Sequence, residues 1–144
     1  DMVSRGLGDV YKRQIHDMTI VTSKNHRNQT LKKVIEKLNF KDQIVMGSVG
    51  CKIASILRGE SNIYICLSLP GKSSPKDWDF AAPEAILKTA GGSLTNLNND
   101  ELSYGGSNFE QGGIIVATSD KFSHKIICSE IMQIMRKFDL YPFD

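Results

Sequence analysis

The sequence has few cysteines, no long apolar run and almost no net charge, and each shortage closes off a class of function. Cys51, Cys66 and Cys128 are the three cysteines in 144 residues, odd in number and widely spaced. No CxxC pair occurs, so zinc and dithiol redox chemistry lack their ligands, and free buried thiols in a reducing compartment are expected. No apolar stretch approaches the ~20 residues needed to cross a bilayer, and no secretory apolar segment opens the chain. A cytoplasmic protein is expected. The formal net charge is +2, with Lys and Arg scattered and in mild excess before residue 60, which provides no basic stripe for a nucleic acid polymer. Internal repeats and low-complexity linkers are missing as well.

What is present is ordinary for a globular chain. It is 40% hydrophobic and 24% charged, and long enough to bury a core without disulfide or metal staples. Asp1–Gln14 has no apolar period and joins abruptly to a well-patterned strand, so it is expected to be a leader foreign to the domain. One domain then occupies residues 15–144.

Met18–Thr22 reads as a strand ending in the polar stretch Ser23–Asn28, and Leu31, Val34, Ile35 and Leu38 recur at helical spacing over Gln29–Leu38. Ile44–Met46 is expected to be a second, buried strand closing at Gly47-Ser48. A helix follows with Val49, Ile53, Ile56 and Leu57 on one side and Gly59 as its stop. Ile63–Leu69 alternates as a strand. Asp79–Ala90 is expected to be helical, with Ala85, Ile86 and Leu87 as its apolar residues, Pro83 tolerated near its start and Gly91-Gly92 ending it. Ser93–Thr95 and Leu102–Tyr104 flank a turn and predict a hairpin. Ile114–Ala117 is a strand, and Asp120 opens a last helix whose buried stripe is Ile126, Ile127, Ile131, Ile134 and Met135. Strands alternating with helices predict an α/β (α+β) layered domain, a mixed sheet with flanking helices.

The strongest chemical signal is Lys76-Asp77-Trp78-Asp79-Phe80-Ala81-Ala82-Pro83-Glu84, where a loop delivers Asp79 to the first position of a helix. Hard Mg²⁺ takes oxygen ligands, and a helix N-terminus offers free N–H groups to an anion, so metal and phosphate could sit side by side. Read on physics alone, an Asp there is first a helix cap. Gly47-Ser48-Val49-Gly50-Cys51-Lys52 is a strand-to-helix turn of small residues with a lysine that offers a point charge. Val21-Thr22-Ser23-Lys24-Asn25-His26 follows a strand directly. A lone surface His is more often a bystander, and Gly-x-x-Gly by itself is a plain turn.

Trp78-Asp79-x-Ala81-Ala82-Pro83, followed by a helix and Gly91-Gly92, resembles the second signature of the inositol monophosphatase superfamily. Pro83, where many members carry Gly, together with the other two segments, makes the chain most similar to the 3'(2'),5'-bisphosphate nucleotidase branch. The likeness runs from Met18 to Thr118. It implies the C-terminal half of an inositol monophosphatase/fructose bisphosphatase-like sandwich, with Mg²⁺ as cofactor and Asp79 as a metal ligand. Ser23, His26, Ser48 and Lys52 are implied as contacts to a small phosphorylated nucleotide. Lys24 and Asn25 stand where that branch has Arg and Ser. The implied reaction converts adenosine 3',5'-bisphosphate to AMP and phosphate, disposing of a by-product of sulfate assimilation, and lithium inhibition is common in the branch. The superfamily's other metal ligands, in Gly-Glu-Glu and Asp-Pro-x-Asp-Gly-Thr segments, do not occur in this sequence. No catalytic residue is therefore expected within it: a missing N-terminal half would carry them, the chain alone would be inactive, and sheet or helix surface would lie exposed where that half docks. A homodimer is left open. The alternatives are an inositol or sugar phosphate phosphatase of the same superfamily and a non-catalytic module.

Overall fold

The run Ile63–Ser68 forms β3, a strand buried along its whole length in the computed structural model. The model describes residues 14–24, 28–68, 75–106, 109, 111 and 113–140. Residues 1–13 of the expected leader, and His26, lie outside them. Instead of alternating between core and solvent, β3 has a core on each face. Ile63, Ile65 and Leu67 enter one cluster; Tyr64 and Cys66 enter the other. Helices cover both sides of such a strand.

Around β3 the sheet runs β2-β1-β3-β5-β4, with β1 at Thr19–Ser23, β2 at Asp42–Met46, β4 at Ser93–Asn96 and β5 at Gly113–Thr118. β1 pairs in parallel with β2 and β3, whereas β5 pairs antiparallel with β3 and β4. The sheet is mixed, as expected. Helix α1 (Gln29–Leu38) and α4 (Lys121–Lys137) bury Leu31, Val34, Ile127 and Ile131 against one face. Helix α2 (Val49–Leu57) and α3 (Asp77–Thr89) bury Ile53, Ile56, Phe80 and Leu87 against the other.

Capping chemistry sets where the helices begin. The Asn28 side chain accepts from the Leu31 N–H at 3.0 Å, Ser48 Oγ from Cys51 N–H at 3.1 Å, and Asp120 Oδ1 from Phe122 N–H at 2.9 Å. Gly92 ends α3 by close approach: an added Cβ would stand 2.6 Å from Leu87 Cδ1 and 2.6 Å from the Thr118 carbonyl oxygen.

Several expectations need correction. Helix α3 starts at Asp77, so Asp79 is its third residue and Pro83 its seventh, inside the helix. Its buried residues are Phe80, Glu84 and Leu87, while Ile86 is exposed. Ile126 is exposed too, and α4 buries Ser123, His124 and Cys128 beside its apolar stripe. The expected hairpin reduces to a single bridge, Thr95 to Glu101. Cys66 and Cys128 are buried free thiols, but Cys51 is exposed. Surface is open on β2, which has no fully buried residue and exposes Val45.

Candidate phosphate and cation site

β1 ends at Ser23, which stands in register with Met46, the last residue of β2. The Lys24 N–H donates to the Met46 carbonyl at 3.1 Å and closes the two strand ends together. From here the chain leaves β1 for α1 on one face, and leaves β2 for α2 on the other. Strand ends whose connections part in this way open a crevice, the usual place for a ligand on a parallel sheet.

Period two along β1 puts Ser23 on the same face as Val21, the face that α2 and α3 cover. Ser48 caps α2 at the head of this crevice. One turn later Lys52 is almost wholly buried, its Nζ donating to the Gly47 carbonyl at 2.7 Å and lying 5.0 Å from the centroid of the Tyr64 ring. Burial lowers the pKa of Lys52, opposed in part by the nearby thiols of Cys66 and Cys51. Burial likewise drives the Tyr64 hydroxyl upward, and the Cys66 and Asp79 charges add to this. Asp79 therefore lies within electrostatic reach of the tyrosine on which the Lys52 ammonium rests.

Asp79 itself is exposed. Its Oδ2 accepts the Lys76 N–H at 2.8 Å, closing the first turn of α3 as a cap does. Pro83 has no N–H to return to the Asp79 carbonyl, so that carbonyl lacks its helical donor. An exposed carboxylate is the donor a hard cation takes, so Asp79 fits one position of a magnesium shell. Among the described residues no group of three or more His, Cys, Asp or Glu is placed to hold a metal. The other positions would need waters, substrate oxygens or further protein donors.

Sequence reasoning missed how α3 is held. Three of its residues on one stripe anchor the segment that follows β4. Asp77 Oδ2 accepts from Gly105 N–H at 2.6 Å and Asp77 Oδ1 from Gln111 Nε2 at 2.5 Å. Glu84 Oε1 accepts from the Tyr104 hydroxyl at 2.9 Å, and Lys88 pairs with Glu101 at 2.7 Å. Tyr64 also escaped notice; its signal was an aromatic residue within an apolar strand, which reads as core. A recess of about 460 Å³ beside α1 is lined by Thr22, Ser23, Lys24, Lys32 and Gln43, so Ser23 at the end of β1 also borders the side that α1 covers.

Comparison with known proteins gives these positions a context. The sequence profile of the Inositol monophosphatase family matches residues 9–136. Mouse 3'(2'),5'-bisphosphate nucleotidase 1 is 35% identical over 85 residues, covering 59% of this chain and 26% of that protein. The mouse Golgi-resident adenosine 3',5'-bisphosphate 3'-phosphatase is 27% identical over 119 residues, covering 78% of this chain and 32% of its own length. The chain thus spans 26% and 32% of these two relatives. Among solved structures, inositol monophosphatase-II from Staphylococcus aureus MSSA476 superposes with a TM-score of 0.64 at 18% identity, covering 88% of this chain and 44% of that one. An IMPase from Thermotoga maritima gives 0.63 at 16% identity, covering 88% and 44%. Among the described residues no helix is long and apolar enough to cross a membrane. From its profile match, and from a fold shared with these solved structures, the chain belongs to the inositol monophosphatase family.

Proposed function

We propose that this chain is the substrate-gripping part of a magnesium-dependent 3'(2'),5'-bisphosphate nucleotidase that hydrolyses adenosine 3',5'-bisphosphate to AMP and phosphate. The observation that supports the reading is that Ser48 and Lys52 on α2 and Asp79 on α3 belong to the two helices that pack on one face of the sheet, with Ser23 at the end of the adjoining strand β1. Lys52 provides the positive charge for a phosphate group, reached when its ammonium turns from the Gly47 carbonyl. The free N–H groups that open α2 donate to the same anion, and Ser48 positions it from the cap. Ser23, at the end of β1, and His26 contact the nucleotide. Asp79 holds one side of the cation, which when bound supplies Lewis-acid stabilisation of the phosphoryl oxygens. The two nucleotidase relatives support this substrate class by their names and identities. Within this reading the protein works in the cytoplasm, in disposal of the sulfate-assimilation by-product, and the residues that activate water lie outside this sequence.

A phosphate-release assay with adenosine 3',5'-bisphosphate and Mg²⁺ tests the proposal. The chain alone is expected to give no turnover above background; robust turnover would show that it needs no further residues. A protein of the relatives' full length that contains this chain is expected to prefer the bisphosphate to inositol 1-phosphate. The opposite preference would favour the inositol phosphatase reading, which a 28% identity over 106 residues to Xenopus laevis inositol monophosphatase 3 keeps in view.

A further inference from the structure

Two carboxylates open α3, and the structure employs them differently. Asp77 has both oxygens engaged, Oδ2 by Gly105 N–H at 2.6 Å and Oδ1 by Gln111 Nε2 at 2.5 Å. Among the described residues Asp79 is bonded through Oδ2 alone, at 2.8 Å from Lys76 N–H. Two residues apart on a helix, the side chains point about 200° apart, so committing Asp77 to one side turns Asp79 to the other.

Gln111 makes that commitment. It is a buried polar residue, only 7% exposed, reaching α3 from 34 positions downstream. Its Nε2 donates to Asp77 and also to the Ser103 carbonyl at 2.8 Å, while its backbone N–H donates to the Pro75 carbonyl at 2.8 Å. One residue therefore ties together the approach to the helix, its first residue and the segment strapped along it. An amide suits the place because it gives two N–H bonds to two acceptors; a carboxylate there would face Asp77 with like charge.

We propose that Gln111 is the positioning residue for Asp79, fixing the rotation of the first turn of α3 so that the Asp79 carboxylate is turned away from the side on which Asp77 is held. The functional meaning of this role rests on Asp79 being a cation ligand; the geometric role does not. The Lys76 amide reports it directly, because its partner is the Asp79 carboxylate.

Hydrogen exchange read by NMR on the full chain gives the test. Gln111→Leu is expected to speed exchange at the Lys76 amide by about tenfold or more, leaving the Ile86 and Leu87 amides unchanged. Gln111→Asn, which keeps an amide but cannot span the same distance, gives the same local loss and serves if the leucine variant does not fold. Unchanged Lys76 exchange in both variants overturns the proposal. Titration with Mn²⁺ alone tests the cation reading separately: line broadening centred on Asp79 in the parent chain supports it, and its absence counts against that reading while the exchange result still decides the role of Gln111.

Discussion

The Lys52 ammonium lies 5.0 Å from the centre of the Tyr64 ring and donates to the Gly47 carbonyl at 2.7 Å. A buried cation held by a π-face and a single carbonyl is weakly compensated for its lost water. Under the proposed function it exchanges that carbonyl for a phosphate oxygen.

Replacing Lys52 by Met keeps the stem and removes the charge. Stability to urea is expected to change by less than about 1.5 kcal/mol, since burying the ammonium was itself unfavourable. Affinity for adenosine 3',5'-bisphosphate, measured by calorimetry on the full-length protein, is expected to drop about tenfold or more. Because the folded chain holds the Lys52 proton less tightly than the unfolded chain, stability rises with pH as it climbs from the lowered value towards the ordinary 10.5. The methionine variant loses that slope.

Ser48 has two roles that a pair of variants separates. Ser48→Ala removes the cap of α2 and is expected to cost about 1 kcal/mol, whereas Ser48→Gly costs a few tenths. Both lack the hydroxyl. Equal loss of nucleotide affinity in the two identifies a direct contact; loss in the alanine variant alone assigns the effect to the cap.

Acid sensitivity should trace to His124. Its ring is buried between the Thr95 hydroxyl at Nε2, 2.7 Å away, and the Thr118 hydroxyl at Nδ1, 2.8 Å away. Burial pushes its pKa down to about 4. The unfolded chain binds the proton more readily, so this neutral histidine favours folding above the ordinary value of 6.5, and the benefit is lost as pH falls towards 4. Urea titrations between pH 7 and 4 are expected to show up to about 3 kcal/mol of loss from this source. A His124→Gln variant should flatten that part of the profile. A profile as steep as the parent's would assign the acid sensitivity elsewhere.

Gly92 and Gly59 are needed for different reasons, and alanine distinguishes them. At Gly92 the added carbon meets Leu87 and the Thr118 carbonyl, and an overpacking cost of about 2 kcal/mol is expected. Gly59 has open space around it but a φ of +77°, so only the backbone penalty of about 1 kcal/mol applies. Chemical denaturation should rank the two variants in that order.

Much of this fold was legible because its signals are local. The 3.6 period of Leu31, Val34 and Leu38 places α1 correctly, and Gly91-Gly92 ends α3 as the residue types require. The failures have a common physical origin in long-range contacts. Asp77 looked like part of the loop because the bonds that hold it come from Gly105 and Gln111. Glu84 and His124 stand outside the apolar stripes expected of their helices, yet Tyr104, Thr95 and Thr118 provide partners that let them be buried. Of the candidate site, Ser48, Lys52 and Asp79 were named from motifs, whereas Tyr64, which links two of them, carries no motif.

The strand order has a consequence for how the chain reaches this state. β4 precedes β5 in sequence, yet among the described strands it pairs only with β5, and β5 in turn must lie against β3 with Ile63 opposite Thr118. β1, β2 and β3 can assemble through their own crossover helices while β4 waits for a neighbour that has not yet arrived. That far edge therefore closes only when residues about fifty positions apart in sequence are brought together, an entropic cost that β1 and β2 do not carry between themselves.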